Sequence, residues 1–365
     1  MTACGHGAKV RSPERPATVL FSRPMEKVIV TGGAGFIGSH TCVELVEAGF
    51  EPVIVDDLRN SDERVLRGLE AILGRSLRIH RIDCAGAEAL EKVFAAERPA
   101  SVIHFAADKA VGESVRDPLK YYANNIGSLV TLLRVMEKHE VKNIVFSSSC
   151  TVYGDTDQLP VTETSRTGVA ASPYGYSKVV CEQLLRDASA ADPALRVVML
   201  RYFNPIGAHP SGIIGELPIG VPNNLVPFIT QAAAGLREKL TVFGDDYPTR
   251  DGSCIRDYIH VVDLAKAHVR ALRWIEKQEA PVYDVFNLGT GTGNTVLEAV
   301  NTFEQENGVK VPYVIGPRRP GDVVAMYADT TKSRKVLGWQ TELTLADALR
   351  DAWRWQQTLA ETAGQ

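Results

Sequence analysis

Long apolar runs, paired cysteines and blocks of positive charge are all scarce in this chain of 365 residues. No apolar stretch approaches the roughly 18 residues that a membrane-spanning helix needs. Residues 1–25 also lack the apolar centre of a secretory signal. Cys4, Cys42, Cys84, Cys150, Cys181 and Cys254 are scattered without a Cys-x-x-Cys pair, which suits reduced thiols better than a disulfide framework or a zinc site. The eight histidines show no ligand spacing, so no metal is expected. A net charge of −4 without a long basic run argues against nucleic acid or a polybasic membrane surface as partner. What remains is a cytoplasmic enzyme-sized chain, whose 45% apolar content suffices for one large or two medium cores.

Arg11, Arg15, Arg23 and three prolines precede Met25-Glu-Lys-Val, which opens an apolar strand directly. Residues 1–25 therefore read as a disordered extension, with prolines that fit an organellar presequence helix poorly. The strand that follows is the most informative segment. Val28-Ile-Val-Thr-Gly-Gly-Ala-Gly-Phe-Ile-Gly38 runs from β-branched residues through Gly32, Gly35 and Gly38 into a helical pattern. Gly32 permits the turn, Gly35 admits a pyrophosphate to the helix N-terminus, and Gly38 lets helix and strand approach. Pro52-Val-Ile-Val-Asp56 then ends in an acid about 20 residues on, where a carboxylate can hold an adenosine ribose. Asp56 and Asp57 would repel a 2′-phosphate, and no Lys or Arg stands between Gly38 and Asp56, so the spacing points to NAD rather than NADP.

Apolar runs recur at 28–31, 53–55, 77–82, 102–105, 143–147 and 196–200, with helical patterns between them at 39–48, 88–97, 119–139 and 174–188. Gly49 sits where the first helix should end. The fold class is α/β: a Rossmann-type doubly wound parallel sheet with a smaller α/β C-terminal substrate domain. Residues 26–204 are expected to form the dinucleotide domain and residues 205–365 the substrate domain, with room for strands of the second to return to the first. After about residue 204 the alternation gives way to loops rich in Pro and Gly, a short strand at 240–243 and a terminal helix around 343–360. Chemistry should gather beyond the carboxyl ends of the parallel strands, where segments 104–109, 147–153 and 201–207 lie.

Ser172-Pro173 reads as an N-cap and N1 pair opening a helix that carries Tyr174 and Lys178 on one face. A phenol near pKa 10 is a weak base, but a neighbouring ammonium and a nicotinamide cation would both favour the phenolate. Ser147-Ser-Ser149-Cys-Thr151 closes the preceding strand, and Ser149 can hydrogen-bond a reacting oxygen and relay its proton.

Thr31-Gly-Gly-Ala-Gly-Phe-Ile-Gly38, Ser147-Ser-Ser-Cys-Thr-Val-Tyr-Gly154 and Tyr174-Gly-Tyr-Ser-Lys178 resemble the extended short-chain dehydrogenase/reductase superfamily. Five further segments resemble the UDP-glucose 4-epimerase family within it: His104-Phe-Ala-Ala-Asp-Lys-Ala-Val-Gly-Glu-Ser114, Arg201-Tyr-Phe-Asn-Pro-Ile-Gly-Ala-His-Pro210, Pro222-Asn-Asn-Leu225, Arg256-Asp-Tyr-Ile-His260 and Arg319-Pro-Gly-Asp322. The likeness covers residues 26 to 358. It implies that Tyr174 is the base, Lys178 its electrostatic partner, and Ser149 and Thr151 the hydroxyl-binding groups. It also implies that NAD stays bound throughout the reaction. The residues implied to hold it are Phe36 and Ile37 after the glycines, Asp56, Asp57, Leu58, Asn60 and Ser61, Asp83 and Cys84, Phe105, Ala106, Ala107 and Lys109, Asn124 and Phe203. Asp83 is expected to end a strand and reach the adenine edge. Asn204, Asn224, Leu225, Phe243, Arg256, Tyr258, Arg319 and Asp322 are implied to line a UDP-sugar pocket, the arginines facing the diphosphate.

The implied activity is inversion of a UDP-hexose at C4, through a transient 4-keto sugar. At Met326 the family resemblance implies either a bulky tyrosine, which narrows the sugar pocket, or a small residue, which widens it. Methionine is intermediate and flexible, which leaves N-acetylated sugars open. Two other readings share the cradle. A nucleotide-sugar dehydratase needs an acid after the serine-threonine turn, where this chain has Val152 and Tyr153. A non-catalytic NAD sensor would have no use for Ser149, Tyr174 and Lys178 together with the arginines. The resemblance also implies a homodimer through helices near 119–139 and 174–188, although Lys120, Arg134, Glu137 and Lys138 suit an exposed face equally.

Overall fold

The computed structural model describes residue 1 and residues 25–156, 158–168, 170–279, 281–319 and 321–363. The expectation for residues 1–25 falls almost wholly outside them. The chain opens with β1 (Lys27–Thr31), α1 (Phe36–Glu47), β2 (Glu51–Val55), α2 (Glu63–Leu73), β3 (Arg78–His80), α3 (Ala87–Glu97) and β4 (Ser101–His104). Two short helices, α4 (Val111–Arg116) and α5 (Pro118–Tyr121), lead through a π-turn at Tyr122–Ile126 into α6 (Gly127–Lys138). Then come β5 (Asn143–Ser149), a 3₁₀ turn at Cys150–Tyr153, α7 (Pro173–Ala191), β6 (Arg196–Tyr202) and β7 (Asn204–Ile206).

The second half holds α8 (Leu225–Ala233), β8 (Leu240–Phe243), β9 (Ile255–Arg256), β10 (Tyr258–His260) and α9 (Val261–Ile275). It continues with β11 (Tyr283–Leu288), β12 (Asn294–Thr295), α10 (Val296–Asn307), β13 (Tyr313–Gly316), β14 (Ala325–Met326), a π-turn at Ser333–Leu337 and α11 (Leu345–Ala363).

Seven parallel strands form the central sheet in the order β3-β2-β1-β4-β5-β6-β11. Because side chains alternate along a strand, the sheet feeds two cores. Val28, Val30, Ile54, Ile103 and Val145 face α1, α2 and α9, packing on Leu45, Leu69 and Leu272. Ile29, Val53, Val55, Val102 and Ile144 face α3, α6 and α7, packing on Phe94, Leu132 and Leu185. A third core, around Ile229, Val242, Phe303 and Leu349, joins α8, β8, α10 and α11 into the smaller lobe.

Several boundaries differ from the sequence reading. The apolar run 77–82 is a strand only over β3, so Asp83 lies three residues beyond the strand end rather than closing it. The pattern at 119–139 is not one α-helix. Asp117 caps α5, the helical path widens into the π-turn, and Gly127 begins α6. Two elements of the second half return to the sheet: α9 packs beside α1, and β11 pairs with β6 at the sheet edge. Ser172 does cap α7, its Oγ accepting the Gly175 N–H at 3.2 Å with Pro173 in the first turn. Gly49 follows α1 with φ 85°, a left-handed conformation suited to a helix end.

Candidate active site

The order of strands reverses at β1, which lies between β2 and β4, and the crevice beyond the carboxyl ends opens there. Gly32 turns with φ 70°, and a Cβ on it would lie 2.8 Å from the Ala106 nitrogen of the β4 loop. A Cβ on Gly38 would meet the Gly32 oxygen at 2.2 Å, so α1 lies this close to the turn only because position 38 is glycine. Gly35 is the N-cap of α1 and brings no side-chain hydrogen bond to it. The first N–H groups of the helix are thus left to an anion, with the positive end of the helix dipole behind them. This cradle fits the pyrophosphate of NAD.

Asp56 stands beside the cradle. Its Oδ2 accepts the Ala34 N–H at 3.0 Å, and its Oδ1 accepts the Leu58 N–H at 2.9 Å and the Ser61 hydroxyl at 3.0 Å. Burial raises its carboxyl pKa against these three bonds. Around it, Asp57 pairs with Arg59, and Asp83 accepts the Ala85 N–H at 2.8 Å and also meets Arg59. Asn60 bonds Asp108, and Asn124 accepts from Arg59. Phe105 packs its ring 4.7 Å from that of His268, and Ala106 donates to Thr31 Oγ1. Phe36 lies under Lys109, whose Nζ is 6.0 Å from the ring centre. Cys84 and Phe203 are buried in the packing of the walls. Burial pushes the Cys84 thiol up to about 12.

The catalytic candidates meet at the end of β5. Ser149 closes the strand, and its Oγ accepts the Thr151 N–H at 3.2 Å and the Thr151 hydroxyl at 3.0 Å. The Tyr174 phenol, in the first turn of α7, lies beside Ser149. One turn on, Lys178 is 4% exposed, donates to the Ser147 carbonyl at 2.8 Å and lies 4.9 Å from the Phe146 ring centre. Without the cofactor cation, burial pushes Tyr174 up to about 12 and Ser149 pulls against it. Lys178 is itself drawn down to about 8 by burial, held up by Cys181 and Glu182. Its ammonium donates to the Ser147 carbonyl and keeps its charge one turn from the phenol.

On the facing side, Arg256 donates to the Ile255 and Val323 carbonyls at 2.8 and 2.9 Å and reaches Asp322 at 3.3 Å. Arg319 binds Asp322 through two nitrogens, at 3.1 and 2.7 Å, and stacks 5.6 Å over Phe243. Two guanidinium groups thus share one carboxylate, leaving a net positive charge suited to a diphosphate. Tyr258 and Asn204 are register partners in β10 and β7. Leu225 opens α8 against the third core, and Asn224 caps that helix by its backbone alone. Met326 is buried with Val152, Tyr153 and Phe203, in register with Arg256.

Other supporting residues went unread in the sequence. Glu216 accepts from Lys109 at 3.1 Å and from Asn224, clipping the cofactor loop to the sugar loop. Behind the catalytic turn, Arg201 holds Glu182 through two nitrogens and donates to the Tyr153 hydroxyl, while Ser148 donates to Glu182 at 2.6 Å. Asp257 is buried and accepts N–H groups from Thr290, Gly291 and Ala328, fixing its neighbours Arg256 and Tyr258. Its place inside the Arg256-Asp-Tyr-Ile-His260 motif was the signal available. Arg201 likewise opens a motif read for its other members. Among the described residues no His, Cys, Asp or Glu group could hold a metal, and no helix is long and apolar enough to cross a membrane.

Comparison with known proteins matches this architecture to named families. A family model for the NAD dependent epimerase/dehydratase family matches residues 28–289. The UDP-glucose 4-epimerase of Bacillus subtilis (strain 168) is 51% identical over 331 residues, covering 91% of this chain and 97% of its own. The crystal structure of UDP-glucose 4-epimerase from Stenotrophomonas maltophila, with bound NAD and formylated UDP-arabinopyranose, superposes with a TM-score of 0.90. Its identity is 47%, over 92% of this chain and 99% of that one. The enzyme from Bifidobacterium longum, in complex with NAD+ and UDP, gives 0.87 at 48% identity, over 91% and 98%. This chain belongs to the NAD-dependent epimerase/dehydratase family and, within it, to the UDP-glucose 4-epimerases.

Proposed function

We propose that this chain interconverts UDP-glucose and UDP-galactose by inverting C4. The observation that carries the reading is the hydrogen-bonded Ser149–Thr151 hydroxyl pair with Tyr174 beside it, accompanied by the Arg256–Asp322–Arg319 group. When bound, NAD supplies the hydride acceptor at C4 and the donor for its return. Gly32, Gly35 and Gly38 make room for its pyrophosphate, and Asp56 takes the adenosine ribose. Tyr174 Oη removes the proton of the 4-hydroxyl and gives it back, with Ser149 and Thr151 holding the sugar oxygen in line. Lys178, fixed on the Ser147 carbonyl, orients the helix turn and keeps positive charge near the phenolate. Arg256 and Arg319 grip the diphosphate. Inversion requires the hexose to present its other face between the two proton transfers, so the site must hold UDP firmly and the hexose loosely. Specificity then rests on the nucleotide.

Purified protein incubated with UDP-galactose, with NAD supplied, is expected to form UDP-glucose on chromatography. Formation of a dehydrated sugar, or no conversion in either direction, would sink the reading. The same incubation without added NAD is expected to proceed as well, because the cofactor is retained.

Met326 tunes the sugar range in this reading, because its thioether belongs to the packed group around Phe203. Met326→Tyr is expected to lower turnover of UDP-N-acetylgalactosamine relative to UDP-galactose, and an unchanged ratio would remove Met326 from that role. The reading also places the protein in the cytoplasm as a homodimer. Support comes from Val111, Val115, Leu119 and Tyr176, apolar side chains of α4, α5 and α7 that are 46–75% exposed. Light scattering at the mass of one chain would overturn the dimer.

A further inference from the structure

Three successive turns of α7 meet the last three residues of β5. Tyr174 lies beside Ser149, Lys178 donates to the Ser147 carbonyl, and Glu182 accepts from the Ser148 hydroxyl at 2.6 Å. Their spacing of four residues puts all three side chains on one stripe of the helix. Ser148 and Arg201 are register partners in β5 and β6, so both side chains leave the sheet on the face that α7 covers. There Arg201 binds both Glu182 oxygens, through Nε at 2.9 Å and Nη2 at 2.6 Å. Its remaining nitrogen, Nη1, donates to the Tyr153 hydroxyl at 2.9 Å and to the Glu163 backbone carbonyl at 3.3 Å. Tyr153 closes the 3₁₀ turn that Ser149 caps and that contains Thr151. The Tyr153 hydroxyl donates in turn to the buried Asn287 at 2.6 Å. One guanidinium therefore joins the helix that carries the phenol to the turn that carries the hydroxyl pair.

Stability alone does not account for this arrangement. The Arg201 and Glu182 side chains are 4% and 8% exposed, and taking both charges out of water opposes folding. An apolar pair of similar volume often matches or exceeds a buried ion pair in stability. What it lacks is direction, which a planar fork with three occupied nitrogens supplies. Resting on the reading of Tyr174 as the proton carrier, we propose that Arg201 and Glu182 are positioning residues for the proton transfer. They act as a clamp that sets the Tyr174 phenol against the Ser149–Thr151 hydroxyls. A displacement of about 1 Å between reacting groups costs about 10² in rate. The clamp therefore belongs to kcat and not to nucleotide binding.

The test is steady-state turnover of UDP-galactose with NAD supplied. Arg201→Lys keeps the charge but cannot hold Glu182 and Tyr153 together. Its kcat is expected to fall about 10–100-fold, with KM and bound NAD near the parent's. Tyr153→Phe removes only the end of the clamp on the turn and should lower kcat several-fold. Glu182→Met combined with Arg201→Met replaces the pair by an apolar one, and is expected to keep the melting temperature while losing kcat, which separates position from stability. In the Tyr174→Phe background there is no phenol to position, so adding Arg201→Lys should change the residual rate by less than about twofold. Parental kcat in the Arg201→Lys variant overturns the clamp, and so does its full loss repeated in the Tyr174→Phe background. Should the Arg201 variants fail to fold, Tyr153→Phe decides: a several-fold loss of kcat at constant KM upholds the clamp, and parental kcat overturns it. A parent that does not invert C4, or Tyr174→Phe with parental turnover, overturns the clamp together with the reading it rests on.

Discussion

Around the catalytic turn Ser149 and Lys178 are buried while Thr151 and Tyr174 are half-buried, whereas on the sugar side the polar groups are charged and partly open to solvent. Lys178 is 4% exposed, and Ser149 is 9% exposed. Across the cleft, Phe243 is 41% exposed and the Arg319 side chain 55%. The two regions also differ in scaffold. The first stands on seven-residue β5 and the 19-residue α7, inside a continuous sheet. The second stands on two-residue strands, β9 and β14, pinned by Asp257 and by backbone carbonyls. The difference matches the two tasks. Proton transfer needs fixed atoms in a low dielectric, where a buried lysine changes pKa. A diphosphate needs positive charge that it can reach from water, and a hexose that must turn over needs a wall that does not close on it.

The contrast can be broken from either side. Tyr174→Phe removes the proton-transfer oxygen and leaves the ring, so kcat should fall by about 10³ with NAD and UDP still bound. Near-normal turnover would place the base elsewhere. Arg256→Ala acts on the other wall and should raise KM for UDP-galactose by about 10–100-fold with a smaller change in kcat. Steady-state kinetics in rising salt sharpens the point. KM of the parent should climb, because its arginines are partly exposed, while a salt effect confined to kcat would reverse the assignment. Asp56→Ala should weaken NAD retention by about 10-fold and reduce the discrimination against NADP, since a hydrogen-bonding acid at the ribose is lost. Equilibrium dialysis with both nucleotides would show it, and equal retention would remove Asp56 from the ribose.

The smallest effect concerns pH. His268, behind Phe105, is held down to about 4 by burial, against its bond to the Leu264 carbonyl. The unfolded chain takes up this proton near pH 6.5 and the folded one does not, so stability from His268 is full above that pH. It is lost as pH falls towards 4. His268→Gln should therefore make the fall of unfolding free energy across this window shallower, by up to about 1.4 kcal/mol per pH unit. Denaturant titrations at several pH values with parallel slopes would contradict it.

The cofactor half was legible because its signals are local and periodic. Val28 and Val30 face one core and Ile29 the other, as alternation in a buried strand requires, and Ser172-Pro173 marks a helix start by its own chemistry. What escaped was made by distant pairing. A strand of two residues has no period to read, so β9 and β14 were visible only through the motifs around Arg256 and Asp322. β11 opens with half-buried residues and follows a long interruption, which hid its place at the sheet edge. The surroundings of Lys178 escaped for a related reason: its spacing from Tyr174 is written in the sequence, but the Ser147 carbonyl that holds its ammonium is not.

The central claim is that C4 inverts by hydride leaving and returning within one site while Tyr174 moves only the hydroxyl proton. UDP-galactose deuterated at C4, converted in ordinary water and read by NMR, tests this most directly. The account predicts that UDP-glucose keeps the deuterium at C4. Loss of the label to water would show that the C4–H bond is broken by proton abstraction, and would contradict the account.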